Sequence, residues 1–184
     1  MHILIICEYY PPYIGGVEIV FQNIAERLSA RGHEVTVLTT RLPNTAARET
    51  RNGVSIHRVK TPEVGDRFFF SLRAIPKAIK LARRADVIHT TTWLAPVPAA
   101  CARKVTSTPA VMTYHESLSD AYAASDANPI VWGCARALER FITLLPFDWC
   151  TAVSENTSSR LRKLGISDEV TVVYNGIDSE LFSE

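Results

Sequence analysis

The chain has 184 residues, 47% of them hydrophobic and 21% charged, with a formal net charge of +1. That length supports one domain with a proper core and is too short for two comfortable ones. The composition excludes disorder and fibrous repeats, and the lack of a basic excess argues against nucleic acid as a partner.

Residues 2–7 are apolar throughout, as expected for a parallel strand covered on both faces. No basic stretch precedes them, so no signal peptide is read. Helical spacing follows over residues 16–31, with Val17, Val20, Ile24 and Leu28 on one face and Gly32 placed to end the helix. Strands are expected at 33–39 and 53–59, a helix at 72–84, and a strand at 86–90. The pattern continues with a helix at 93–104, a strand at 109–114, and a helix at 129–145 opened by Pro129. A strand at 148–153 leads into a helix capped by Ser154 that ends near Gly165, and a short strand follows at 170–173. Residues 41–52 and 116–128 lack periodicity and are expected as long loops. No apolar run reaches the length of a membrane span. Cys7, Cys101, Cys134 and Cys150 form no CxxC pair. Each sits in an apolar stretch and is expected as a buried free thiol, which fits a reducing cytoplasm.

Strands alternating with helices predict an α/β fold, a doubly wound, mostly parallel sheet with helices on both faces. Ligands of such sheets bind outside the carboxyl ends of the strands. After the first strand, two glycines, Gly15 and Gly16, open a helix. They either let a ligand phosphate approach the helix N-terminus or simply make a tight turn. The loop is not GxGxxG and no Walker lysine follows, so a nicotinamide or P-loop site is not expected. Thr91, Thr92 and Trp93 follow the fourth expected strand, where hydroxyls and an indole suit a sugar. Helix capping by Thr92 is the equal alternative. His115 and Glu116 follow the fifth, where an imidazole beside a carboxylate can bind a sugar hydroxyl or polarise a carbonyl. No cluster of His, Asp or Cys suggests a metal site.

Six motifs in order carry a resemblance. They are Tyr10-Pro11-Pro12 with Gly15-Gly16-Val17-Glu18, Arg31-Gly32-His33-Glu34-Val35, Asp86-Val87-Ile88-His89, Thr113-Tyr114-His115-Glu116, Val153-Ser154-Glu155, and Tyr174-Asn175-Gly176-Ile177-Asp178. Together they resemble the N-terminal domain of the retaining GT-B glycosyltransferases of family 4, over essentially the whole chain. The resemblance implies half of a two-domain, Rossmann-like enzyme. Residues 1–174 would form the acceptor-side domain, and 175–184 would begin the crossover to a missing C-terminal domain that holds the nucleotide sugar. A helix start at Asp178 with nothing to pack against points to the same truncation. The resemblance gives His115 a catalytic role beside the transferred sugar, and gives Gly15 and Gly16 the donor diphosphate. Tyr9, Tyr13, Glu18, Thr91, Thr92, Trp93 and Glu116 are expected on the acceptor side. The nucleotide sugar is then a substrate, no metal or other cofactor is required, and the fragment alone is expected to be inactive. A non-catalytic sugar- or nucleotide-binding module and a nucleotide-sugar epimerase remain as alternatives.

The acceptor, a glycan or a lipid, is open. In residues 67–84, Arg73, Lys77, Lys80 and Arg84 share one helical face, with Leu72, Ile75, Ile79 and Ala82 on another. A solvated outer face is the plain reading. The sharper one is an anionic membrane surface on the cytoplasmic side, with Phe68 to Phe70 entering the interface.

Overall fold

A computed structural model describes residues 1–116, 128–166 and 170–176. Eight strands form one sheet: β1 (His2–Ile6), β2 (Glu34–Thr40), β3 (Arg48–Arg51), β4 (Val54–Val59), β5 (Val87–Thr91), β6 (Ala110–Tyr114), β7 (Trp149–Ala152) and β8 (Thr171–Val172). Their order is β3-β4-β2-β1-β5-β6-β7-β8, and every neighbouring pair is parallel except β3 with β4. The helices are α1 (Gly16–Ala30), α2 (Asp66–Arg73), α3 (Ile75–Ala82), α4 (Pro96–Thr106), α5 (Pro129–Thr143) and α6 (Glu155–Lys163).

The two-residue period of β1 divides its apolar side chains between two cores. Leu4 and Ile6 join Phe70, Ala74, Ala78, Ala82, Ala99 and Ala102 of α2, α3 and α4 on one face. Ile3, Ile5 and Cys7 join Phe21 and Ala25 of α1 on the other. The alanines along α3 and α4 let these helices pack closely beneath the sheet. A third cluster, built on Met112, Tyr114, Ile142, Ala152 and Leu161, anchors the β6–β8 side.

The chain leaves β1 for β2, builds one half of the sheet, then returns across β1 to pair β5 on its other side. That reversal opens a crevice at the carboxyl ends of β1 and β5, where an α/β sheet places its ligands.

Most expected elements form within a few residues of their expected bounds. Gly32 stops α1 in the left-handed conformation, at φ +85°. The Ser154 hydroxyl caps α6 by accepting from Thr157 N–H at 3.1 Å. Four expectations need correction. Residues 41–52 are not all loop, because Arg48–Arg51 pairs antiparallel with β4 as an edge strand. The helix expected at 72–84 begins earlier and breaks at Ala74, because Pro76 has no N–H for the Leu72 carbonyl. The break reassigns the faces: Phe70 is wholly buried while Leu72 is 64% exposed. Phe70 therefore belongs to the core and cannot enter a membrane interface. Of the four cysteines only Cys7 is fully buried: Cys101 and Cys150 are half-buried, and Cys134 is exposed on α5. The expected loop at 117–127 and the helix start at Asp178 lie outside the described residues.

Candidate functional site

The crevice holds a cavity of about 330 Å³ at the switch point. The β1–α1 loop with the start of α1, the β5–α4 turn, the end of β6 and Arg67 of α2 build it. All ten expected pocket residues line it, namely Tyr9, Tyr13, Gly15, Gly16, Glu18, Thr91, Thr92, Trp93, His115 and Glu116. The basic residues Arg73, Lys77, Lys80 and Arg84 do not line it. Among the described residues, no group of three or more His, Cys, Asp or Glu could hold a metal ion.

The glycines differ in what they do. Gly15 has an extended backbone, φ −155°, which any residue adopts. The nearest group to the place a Cβ would take is the Glu18 carboxylate, the far end of a flexible side chain. Gly16 has nothing within 4 Å of a Cβ position, so the space in front of the first turn of α1 is open. The first N–H groups of a helix and its positive end favour an anion there.

The alternative role for Thr92 is corrected by the structure. No side chain of the β5–α4 turn caps α4. Glu8, at the carboxyl end of β1, accepts from Ala95 N–H at 2.8 Å and from Leu94 N–H. Both hydroxyls of Thr91 and Thr92 are thereby left buried without a partner among the described residues, and so is Nε2 of His115. A buried polar atom without a partner costs roughly 1–3 kcal/mol. Three such atoms belong to residues that line one cavity.

Aromatic rings make the opposite wall. Tyr9 stacks on Tyr13 with ring centroids 4.5 Å apart and an interplanar angle of 19°. The Arg67 guanidinium lies over Tyr9 at 5.1 Å and over Trp93 at 4.8 Å. The Trp93 indole N–H reaches Glu116 at 3.3 Å, and its backbone sits at φ +75°, a conformation a bulky residue rarely adopts. The Tyr9 hydroxyl donates to Asp66 at the start of α2.

Burial governs the titrating groups. It pushes the His115 imidazole down to about 4, and does the same to His89 with His115 as a lesser cause. At neutral pH His115 is therefore an uncharged hydrogen-bonding group. Burial pushes the Glu8 carboxyl up to about 7, against the opposing pull of the Leu94 N–H, Arg67 and the Ala95 N–H.

Glu8 and Arg67 are the functional candidates that the sequence reading missed. A charged residue directly after an unbroken apolar strand was a signal for Glu8. Arg67 was hidden in the basic run, with nothing in its spacing to separate it from surface cations.

A doubly wound, mostly parallel sheet with an open pocket at its switch point defines the chain as a Rossmann-like α/β domain. Residues 14–181 match the family model described as Glycosyltransferase Family 4, and the chain belongs to that family. It is 26% identical over 182 residues to an uncharacterized glycosyltransferase of Methanocaldococcus jannaschii, covering 93% of this chain and 45% of that protein. In fold it matches the crystal structure of Anabaena HepE in complex with UDP-glucose, with a TM-score of 0.70 and 19% identity. That match covers 99% of this chain and 46% of the other. It also matches a sucrose-phosphate synthase from Thermosynechococcus elongatus, with a TM-score of 0.66 and 19% identity, over 94% of this chain and 47% of the other. The chain thus spans less than half the length of these relatives.

Proposed function

We propose that this chain is the acceptor-side, N-terminal domain of a retaining GT-B glycosyltransferase that moves a hexose from a nucleotide sugar to a hydroxyl acceptor. The convergence in one cavity of the Thr91 hydroxyl, the Thr92 hydroxyl and His115 Nε2, all buried and without a partner among the described residues, carries the reading. The fold match to a protein crystallised with UDP-glucose supports a uridine diphosphate sugar as donor.

Electrostatics supports the division of labour. The cavity presents Glu8, Glu18 and Glu116 against the single guanidinium of Arg67. Such a lining suits hydroxyls and cannot by itself neutralise a diphosphate. The cations for that charge would come from a second domain, with Gly16 and the α1 N-terminus closing over the phosphates. As the sugar leaves, charge builds on the diphosphate and on an oxocarbenium-like ring, and fixed donors beside both lower the barrier. His115 contributes as a neutral hydrogen-bond partner of the transferred sugar, and no resident metal is needed.

One observation favours a lipid-bearing surface as a further partner. Phe68, Phe69 and Leu72 are 64%, 41% and 64% exposed beside the cations of α2 and α3. No helix of the described residues is long and apolar enough to cross a membrane. A surface contact through these residues is the proposed mode, at the cytoplasmic face.

The test is an assay of the full-length protein with UDP-glucose and a panel of glycan and lipid acceptors, beside residues 1–184 alone. Transfer by the full-length protein and none by the fragment is expected. Transfer by the fragment would overturn the two-domain division. A full-length protein that binds sugar nucleotide without turnover on any acceptor would favour a binding module.

A further inference from the structure

We propose that Glu8 is a positioning residue for the pocket: its buried carboxylate, by accepting from Leu94 and Ala95, holds Trp93 in its left-handed backbone and so sets the aromatic wall. The loop part of this inference stands on geometry alone. The part concerning an acceptor rests on the function proposed above.

The need arises at the start of α4. The first N–H groups of a helix have no acceptor within it and call for a cap. α4 opens with Pro96, is preceded by Ala95, and has no side-chain cap of its own. The cap comes instead from β1, 86 and 87 residues away in sequence, through the single oxygen Oε1 of Glu8. Glu8 is itself 6% exposed. Its backbone carbonyl is fixed from β2 by the Thr39 hydroxyl at 3.0 Å and Thr40 N–H at 2.9 Å.

The anchored amides directly follow Trp93. With Leu94 and Ala95 tied to β1, the chain must turn sharply at residue 93, and that residue takes φ +75°. A β-branched or aromatic residue is held there only where its surroundings over-determine it. Arg67 over the indole face and Glu116 at its N–H complete the hold. The same arrangement relieves Thr92 of capping, so Glu8 both shapes the wall and frees the hydroxyl beside it.

A carboxylate grips two N–H groups more strongly than a neutral carboxyl does, so the grip follows the charge on Glu8. Arg67 from α2 favours that charge, Glu18 from α1 opposes it, and burial opposes it most. Cys7 just after β1, Tyr9 and Tyr13 of the following loop, and His115 and Glu116 after β6 complete the titratable lining. Burial moves the Glu8 titration up to about 7, so the grip changes as pH crosses neutrality.

Amide hydrogen exchange on this chain tests the anchor. Glu8→Gln should speed exchange at Leu94 and Ala95 at least about tenfold and leave Ile5 and Val37 unchanged. Equal exchange at Leu94 and Ala95 in both proteins overturns the inference. Trp93 emission, read with Trp132→Phe and Trp149→Phe, should shift with a midpoint near pH 7 and lose that shift in Glu8→Gln. A shift that survives the substitution, or one centred near pH 4 where His115 titrates, overturns it. Should Glu8→Gln fold poorly, the unsubstituted chain decides. Protection of Leu94 and Ala95 relative to Ile5, corrected for intrinsic rates, must change between pH 6 and 8, and flat protection overturns the inference. In the full-length enzyme, Glu8→Gln should raise the acceptor KM about tenfold with the donor KM unchanged. An unchanged acceptor KM removes the acceptor part, whereas absence of turnover in the unsubstituted enzyme counts against the proposed function instead.

Discussion

The two ends of this sheet treat their polar groups in opposite ways. At the amino end, His2 uses both ring nitrogens, Nδ1 with the Arg84 carbonyl at 2.8 Å and Nε2 with the Thr36 hydroxyl at 3.0 Å. Its backbone N–H donates to Asp86 at 2.7 Å. Nearby, Arg103 forks onto Asp148 at 2.7 and 2.6 Å, and Asp148 also accepts from Ala110 N–H at 2.8 Å. At the carboxyl end, the Thr91 and Thr92 hydroxyls and His115 Nε2 are buried without a partner among the described residues, and Glu8 is buried with its pKa pushed up to about 7. One strand set supplies both ends, so β-sheet chemistry does not explain the contrast. A satisfied end contributes stability, whereas an unsatisfied one costs stability, as the proposed ligand site requires.

The largest expected effects fall on activity at the open end. His115→Ala should lower transfer by the full-length enzyme by about 10²–10³-fold, the usual cost of losing one fixed donor beside developing charge. The packing of His115 against the Phe21 ring is lost as well, so the thermal midpoint is measured beside activity and should fall by far less than the activity does. A tenfold or smaller loss would strip His115 of its role beside the transferred sugar. Gly16→Val comes next. A Cβ there meets no atom within 4 Å, so the fold should tolerate it. The added methyls would occupy the space proposed for the diphosphate and raise the donor KM about tenfold. An unchanged donor KM would move the diphosphate away from α1.

These residues were legible because strand ends can be read from apolar runs, and a ligand site in this fold class follows the strand ends. The Gly15–Gly16 turn, Thr91–Trp93 and His115–Glu116 are each short, local and next to a strand. Glu8 and Arg67 were not legible, because their roles depend on partners 87 and 26 residues away, Ala95 and Trp93. The edge strand Arg48–Arg51 was lost for a related reason. It has exposed or half-exposed positions throughout and pairs only at its margin, so it carries no apolar alternation. The helix break at Ala74 was signalled by Pro76, but the apolar spacing on either side concealed it.

At the closed end the expected effects are on stability. Asp148→Ala removes a partly exposed ion pair and the Ala110 N–H acceptor. It should cost about 1 kcal/mol, or roughly 2–4 °C in midpoint for a chain of this size, with transfer unchanged. A loss of activity without a loss of stability would break the division between the two ends.

The pH dependence of stability sharpens the same comparison. His89 and His115 are lowered to about 4, so their contribution is full above the ordinary value of 6.5 and is lost as pH falls through about 4. Glu8 is raised to about 7, so its contribution is full below the ordinary value of 4.5 and is lost as pH rises through about 7. Between those ordinary values two imidazoles act against one carboxyl, and the denaturant midpoint should rise with pH. His115→Ala leaves one against one, and the rise should flatten. An unchanged slope would mean that His115 is charged as easily in the fold as in the unfolded chain.

The smallest expected effect concerns the outer basic face, where the structure narrows the choice of residues. Arg73 is tied down, donating to the Lys60 carbonyl at 3.2 Å and lying over Phe69 at 5.4 Å. Lys77 is partly buried, and burial with nearby Arg48 and Lys80 lowers its ionisation from the ordinary value. Lys80 and Arg84 remain exposed. Each lysine near an anionic surface contributes about 1 kcal/mol. In flotation with vesicles containing 30% phosphatidylserine, Lys80→Glu should therefore weaken binding more than Lys77→Glu does, by about tenfold at low salt. Added salt should erase the difference, because screening shortens the reach of surface charge. If neither substitution alters binding, or if binding survives high salt unchanged, the cations of α3 are a solvated outer face. The exposed Phe68, Phe69 and Leu72 would then need a protein partner rather than a membrane to cover them.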